Sequence, residues 1–141
     1  MAIDQNILVT VDALIFKILN NEKWEILLIE RKNDPYKGKW AFPGGFVEED
    51  EDLHTACSRE LEEETGLKID SKNLKQVGAF GTPGRDPRGR TVTIAFTASI
   101  TNDNYEIRGG DDAAKARWWP LADLPSLAFD HADILASTRN I

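Results

Sequence analysis

The stretch SRELEEETGLK, Ser58 to Lys68, puts four glutamates, Glu60, Glu62, Glu63 and Glu64, into five positions just ahead of Gly66. From about Asp50 to Thr65 the apolar residues recur with helical spacing. Acidic residues fall in the first turn and Gly66 stands where a left-handed C-terminal cap belongs. The acids therefore crowd the C-terminal end of a helix, which carries partial negative charge, and neighbouring carboxylates repel each other. Projected at about 100° per residue, Leu53, Ala56, Cys57 and Leu61 form an apolar stripe. Glu60 and Glu64 fall inside it and Glu63 at its margin, while Glu62, Thr55 and Ser58 point away. A solvated acidic face thus accounts for Glu62 alone. Carboxylates that lean toward the protein body are costly unless they are paired or bind a metal. A hard divalent cation, Mg²⁺ or Mn²⁺, is the simplest partner, because it takes carboxylate, carbonyl and water oxygens and bridges to substrate phosphates. Arg59, four residues before Glu63, can hold that side chain in place.

On the N-terminal side of this helix, Ile7 to Leu19 and Trp24 to Glu30 are rich in Val, Ile and Leu and are joined by the polar NNEK turn, so they read as two strands. Arg31 to Gly44 holds Pro35, Gly38, Pro43 and Gly44 and reads as a surface loop that ends in a short strand within KWAFPGG. On the C-terminal side, strands are expected at Leu74 to Phe80 and at Thr91 to Ile100, with the loop TPGRDPRGR between them. Thr101 to Ala113 reads as a loop, Lys115 to Trp119 as a short strand, and PLADLPSLAFDHADILAST as a turn and a helix. Strands and helices mix, which gives an α+β fold with a mixed sheet sandwiched between helices.

Composition bounds the rest. With 141 residues and 41% hydrophobic content, residues 1–141 are expected to form a single domain with one substantial core. A net charge of -7 argues against a general nucleic-acid binder and gives an anionic substrate need of a cation as intermediary. The lone Cys57 cannot form an internal disulfide and the N-terminus lacks signal-peptide character, which points to a cytoplasmic setting. No apolar run approaches the ~20 residues that span a bilayer, so no membrane partner is expected.

The segment Gly45-FVEED-Glu51-DLHTACS-Arg59-Glu60-Leu61-Glu62-Glu63-Glu64-Thr65-Gly66-Leu67 resembles the Nudix box, G-x5-E-x7-R-E-U-x-E-E-x-G-U with U aliphatic, at every fixed position. The strand, loop and helix order on both sides is similar to a whole Nudix domain, an α/β/α sandwich. The resemblance implies hydrolysis of a nucleoside diphosphate linked to another moiety, with water attacking a phosphorus and Mg²⁺ on the box glutamates. By position, Glu60, Glu63 and Glu64 become metal ligands, Gly44 or Gly45 offers a backbone carbonyl, Arg59 orients the glutamates and Glu51 supports them. Cations that neutralise charge and position both partners supply much of such catalysis. A box glutamate or an acid of a distant loop takes the proton of the attacking water, and Asp111 and Asp112 in RGGDDAAKARWW, Asp112 above all, are the distant candidates. GGDD also reads simply as a turn.

Substrate choice has to come from outside the box. GTPGRDPRGRTVTIAF and GDDAAKARWWPLADLPSLAFDH look like the ADP-ribose pyrophosphatase group and the related domains attached to NAD metabolism. Arg85, Arg88 and Arg90 suit a diphosphate or ribose through forked donors, or else solvate the loop and pair with Asp86. Trp40, Phe80, Trp118 and Trp119 are adenine-stacking candidates or core; Trp40 and Phe80 are taken forward as substrate contacts. His54 and His131 read as ordinary helix residues. The resemblance also allows a homodimer through an exposed apolar edge near Trp118. Two alternatives stand beside ADP-ribose hydrolysis: a hydrolase that clears oxidised or non-standard triphosphates with the same box, and a non-catalytic, ligand-sensing regulator of NAD metabolism. The regulators carry an added DNA-binding domain, and this chain stops at Ile141.

Overall fold

The computed structural model describes residues 4–20, 22–101, 107, 109–110 and 113–138. In chain order the elements are β1 (Leu8–Ile18), β2 (Trp24–Arg31), β3 (Trp40–Ala41), β4 (Gly44–Phe46), α1 (Leu53–Thr65), a 3₁₀ turn (Ser71–Asn73), β5 (Lys75–Phe80), β6 (Thr91–Ile100), β7 (Ala113–Pro120) and α2 (His131–Thr138). The strands form one mixed sheet in the order β3-β2-β1-β6-β5, with β4 on β1 and β7 on β2. β1 runs parallel to β6 along its whole length, from Leu8 opposite Thr91 to Lys17 opposite Ile100, and antiparallel to β2 and β4.

β1 reads as an almost unbroken apolar run because both of its faces are covered. Val11, Ala13 and Ile15 point to one side, where with Leu27 and Phe96 they pack on Ala56, Cys57 and Leu61 of α1. Leu14 and Phe16 point to the other, where with Ile26, Leu28 and Ala95 they pack on Ile134 and Leu135 of α2. This period-2 alternation makes the expected α/β/α sandwich. It also places Thr10 and Asp12, which share the parity of Leu14, on the α2 side of the sheet.

The helix differs from its expected span in one respect. It starts at Leu53, and Asp52 is its N-cap, with a side-chain oxygen that accepts the Leu53 N–H at 2.8 Å. The acidic residues 50–52 therefore precede the first turn instead of filling it. Gly66 closes the helix at φ 78, and its N–H donates to the Glu62 carbonyl. Ser58, expected to point away, is half-buried and donates to the Ile69 carbonyl at 2.6 Å, because the chain after Gly66 folds back along that flank. Trp118 is no free edge. It packs against the α1-side core with the Lys17 ammonium 4.7 Å from its ring centroid, and among the described residues the exposed large apolar side chains are Ile7, Leu8, Val9, Trp24 and Phe46.

Candidate active site

The C-terminal half of α1 carries Glu60, Glu63 and Glu64 past the PGG segment, residues 43–45, which leads into β4. Glu64 is buried at 4% exposure, and its Oε1 accepts the Gly44 N–H at 2.7 Å. Glu60 lies against Gly45. A methyl group added there would sit 2.6 Å from the Glu60 carboxylate, so only glycine lets that carboxylate close onto the backbone. Gly44 is tighter still: an added methyl would meet the Val11 carbonyl oxygen of β1 at 2.1 Å. Burial, partly opposed by Arg59, holds the Glu60 carboxyl above the usual carboxylate range. That is the signature of an acid placed where a charge needs a partner.

Arg59 is the organiser. Its guanidinium reaches both oxygens of Glu51, Glu60 at 2.9 Å, Glu63 at 3.2 Å and the Phe46 carbonyl at 3.1 Å. The Arg59 hydrogen bond holds the Glu51 carboxyl below its ordinary value, and the same acids raise the guanidinium pKa, Glu51 first. Glu63, at 41% side-chain exposure, stays at the rim on Arg59, and Glu62 is exposed, as the helical projection requires for a bystander. Among the described residues no three His, Cys, Asp or Glu side chains converge as a ready-made metal cage. What is present is a pair of inward carboxylates beside glycine backbone, a donor set that suits a hard cation retaining several waters.

Glu60, Glu64, Gly44 and Gly45 line a cavity of about 420 Å³ together with Asp12, Arg31, Phe46, Arg59, Arg85, Arg88, Phe129 and His131. The volume is that of a nucleotide-sized ligand cleft. Three of the residues expected to bind substrate lie elsewhere. Arg90 is exposed and donates to the Gly81 carbonyl at 3.0 Å, turned away by the end of its own loop. Trp40 and Phe80 pack around the α2-side core, Trp40 edge-on to Trp119 at 5.1 Å, because their positions in β3 and β5 face that layer. Asp111 and Asp112 lie outside the described residues. Gly110, just before them, fits closely against α1, where an added methyl would be 2.5 Å from the Glu63 carbonyl oxygen.

The loop between β5 and β6 keeps Arg85 and Arg88 in the cavity by different means. Arg85 is buried and forks onto Asp130, with Nε at 3.0 Å and Nη2 at 2.8 Å, which ties the loop to the start of α2. Asp86 is buried too; burial would raise its carboxyl pKa, but the Arg88 guanidinium and N–H outweigh that and hold it below the usual range. Arg88 then lies over Phe46 at 5.3 Å and over Phe129 at 5.6 Å from the ring centroids. Arg31 covers Phe129 at 4.9 Å. Phe129 adopts φ 51, a left-handed backbone that a bulky residue takes only under constraint, and its ring also meets Tyr36 at 4.8 Å. Two guanidinium groups thus share one ring at the cavity wall.

His131, expected as an ordinary helix residue, does stand in a helix and also reaches the cavity. It is the first residue of α2, buried, stacked on Phe42 at 4.4 Å, and part of the cavity lining. Burial lowers its pKa and keeps the ring neutral. Asp12, whose Oδ2 accepts from Thr93 Oγ1 at 2.6 Å, faces it from β1. Nothing local in the sequence marks His131, and Asp12 is marked only by its place in the strand. The clue available was parity, since Asp12 is a carboxylate inside an otherwise apolar strand. His54, by contrast, packs edge-on to Phe96 at 4.7 Å on the α1 side, outside the cavity lining.

The NUDIX domain profile matches residues 9–138. The chain is 46% identical over 127 residues to the ADP-ribose pyrophosphatase of Methanocaldococcus jannaschii, a match that covers 90% of this chain and 70% of that one. It is 42% identical over 132 residues to the ADPR responsive transcriptional repressor NtrR of Acinetobacter baylyi, covering 91% of this chain and about half, 51%, of the repressor. Among solved structures, the NUDIX domain of Shewanella oneidensis NrtR complexed with ADP ribose superposes with a TM-score of 0.87 at 33% identity, over 97% of this chain and 89% of that domain.

Proposed function

Because the chain belongs to the NUDIX domain family, we propose that it is a Mg²⁺-dependent pyrophosphohydrolase that cleaves ADP-ribose to AMP and ribose 5-phosphate. The observation that carries this reading is the pair of inward carboxylates, Glu64 buried and Glu60 half-buried, set against Gly44 and Gly45 in the cavity that also holds Arg31 and Arg88. The pyrophosphatase relative and the ADP-ribose complex of a structural neighbour favour that substrate over other nucleotides. Glu60, Glu64 and a carbonyl of the Gly44–Gly45 backbone would hold the divalent cation, and Glu63 would be the third acid that the box assigns. When bound, the cation neutralises the diphosphate and acidifies a water, and Mn²⁺ suits the same oxygens. Arg59 keeps the carboxylates in register through Glu51. Arg31 and Arg88 bring guanidinium charge to the cavity wall beside the phosphate oxygens, Arg88 while its Nε and Nη2 stay forked onto Asp86. Arg85 is committed to Asp130 and acts by fixing the loop. A carboxylate of the site takes the proton of the attacking water, with Asp112 as the candidate from outside the box.

The test is a comparison of nucleotide substrates with Mg²⁺ and with Mn²⁺. ADP-ribose is expected to give the highest kcat/KM, releasing AMP. If an oxidised guanine triphosphate wins, nucleotide-pool cleaning replaces this reading. The repressor relative supports a ligand-sensing role as the second reading. That role predicts tight ADP-ribose binding with no AMP released in the same assay.

A further inference from the structure

His131 and Asp12 stand in the cavity with one unused hydrogen-bonding atom each. The Phe42 N–H donates to His131 Nδ1 at 3.2 Å, so the neutral ring carries its proton on Nε2. Nε2 faces Asp12 Oδ1 at 3.6 Å, too far for a direct hydrogen bond. The other Asp12 oxygen is taken by Thr93. Among the described residues neither Nε2 nor Oδ1 has a hydrogen-bond partner, and neither is sealed off as a buried orphan; both residues line the cavity. The result is a donor and an acceptor side by side, held from behind by β3–β4 backbone on one flank and by β6 on the other.

The chemistry of the pair selects its ligand. A phosphate oxygen would face the Asp12 carboxylate and is repelled. An apolar group would leave both polar atoms unsatisfied, which is unfavourable once water is excluded. A hydroxyl both donates and accepts, and one oxygen about 2.8 Å from each atom bridges the gap. Location narrows this further. A methyl on Gly44 would lie 2.7 Å from Asp12 Oδ1, and the Gly44 N–H bonds Glu64, so the pair stands one residue away from the proposed cation site. The group joined directly to a diphosphate held there is a sugar; a base lies one ring further out. We propose that Asp12 and His131 form a recognition pair for a ribose hydroxyl next to the scissile diphosphate, with Asp12 accepting and His131 donating. This rests on the ADP-ribose reading and adds to it a determinant of specificity.

Both riboses of ADP-ribose adjoin the diphosphate, so the experiment uses deoxy analogues of each. kcat/KM and calorimetric Kd are measured for ADP-ribose, for analogues that lack a hydroxyl of the terminal ribose, and for analogues that lack one of the adenosine ribose. The wild type is expected to discriminate against one set by about 10²-fold, since a site built to bond a hydroxyl rejects the analogue without it. His131→Asn keeps an acceptor for the Phe42 N–H and drops the Nε2 donor. Asp12→Asn keeps an acceptor for Thr93 and turns the cavity-facing acceptor into a donor. In both variants that discrimination should fall to within a few-fold while the other set is unaffected. Because the readout is a ratio between substrates in one variant, partial loss of folded protein cancels, and His131→Asn decides alone if Asp12→Asn fails to fold. Unchanged ratios in the variants, or a wild type that treats every analogue alike, overturn the pair. A wild type that neither binds nor cleaves ADP-ribose overturns the proposed function, and this inference with it.

Discussion

Replacing Gly45 by alanine should lower activity by about 10²-fold and leave the fold intact, whereas the same change at Gly44 should destabilise the fold. Neither glycine sits in the left-handed region, so alanine is acceptable to the backbone at both positions. At Gly45 the new methyl meets the end of the Glu60 side chain, with Cδ and Oε1 at 2.6 Å. Ordinary contact is about 3.5–4.0 Å, so the carboxylate must retreat by roughly 1 Å. It can do so, because it is the free end of a flexible chain, at the cost of weakening its 2.9 Å ion pair with Arg59. Loss of chain entropy in the unfolded state returns about 0.4–1 kcal/mol, so the net stability change should stay within about 1 kcal/mol. A shift of that size in a catalytic group can lower kcat by about 10²-fold, and Mn²⁺ affinity should fall with it. At Gly44 the methyl meets the Val11 carbonyl at 2.1 Å, which is backbone in the middle of β1 and cannot move aside. Overpacking of that kind costs about 1–3 kcal/mol or more, and Gly44→Ala should sit at or beyond the upper end. Thermal unfolding, Mn²⁺ binding and AMP release measured on both variants check this. Gly45→Ala with activity within threefold of wild type would refute the placement of Glu60 as a ligand whose position matters.

The glutamates of the box should separate cleanly. Glu64→Gln keeps an acceptor for the Gly44 N–H and removes the charge, so kcat should drop by at least about 10²-fold with the fold retained, while Glu62→Gln should be nearly silent in the same assay. Asp130→Ala strands the buried Arg85 guanidinium and should lower stability by about 3–5 kcal/mol, read by denaturant unfolding; a loss below about 1 kcal/mol would show that the clasp is not holding the loop. Asp86, with its folded pKa depressed, adds stability that is fully present above the ordinary Asp value and is lost as pH falls through the lower folded value. Asp86→Asn should therefore be less stable than wild type at neutral pH, and the gap between the two should close as an acid titration passes below about pH 3.9.

Most of the scaffold was legible because its determinants are local. Gly66 caps α1 in the left-handed region as its position requires, and the inward lean of Glu60 and Glu64 follows from 3.6-residue geometry alone. Glu63 shows where that projection ends: a residue at the margin of the stripe goes to whichever partner is nearest, here Arg59 at the rim. The loop arginines were less legible. Arg85, Arg88 and Arg90 are alike in sequence, but the turn through Gly84 at φ 84 and the Asp86 carboxylate send two inward and leave the third at the surface. Trp40 and Phe80 were ambiguous because an aromatic residue at a strand end fits a core or a base equally well, and only the layer it faces decides. Asp12 and His131 meet from distant parts of the chain through the sheet register and the start of α2, which no spacing rule encodes.

The central claim is that the acids at the end of α1 hold the cation with which ADP-ribose is hydrolysed. AMP release from ADP-ribose, followed as free Mg²⁺ is titrated into chelator-treated wild type and Glu64→Gln, tests it most directly. Wild-type activity should be absent in excess chelator and return in full as Mg²⁺ is restored, with Glu64→Gln recovering no more than about one part in 10² at saturating Mg²⁺. Full wild-type turnover in excess chelator, or a Glu64→Gln curve that coincides with the wild type, would contradict the account.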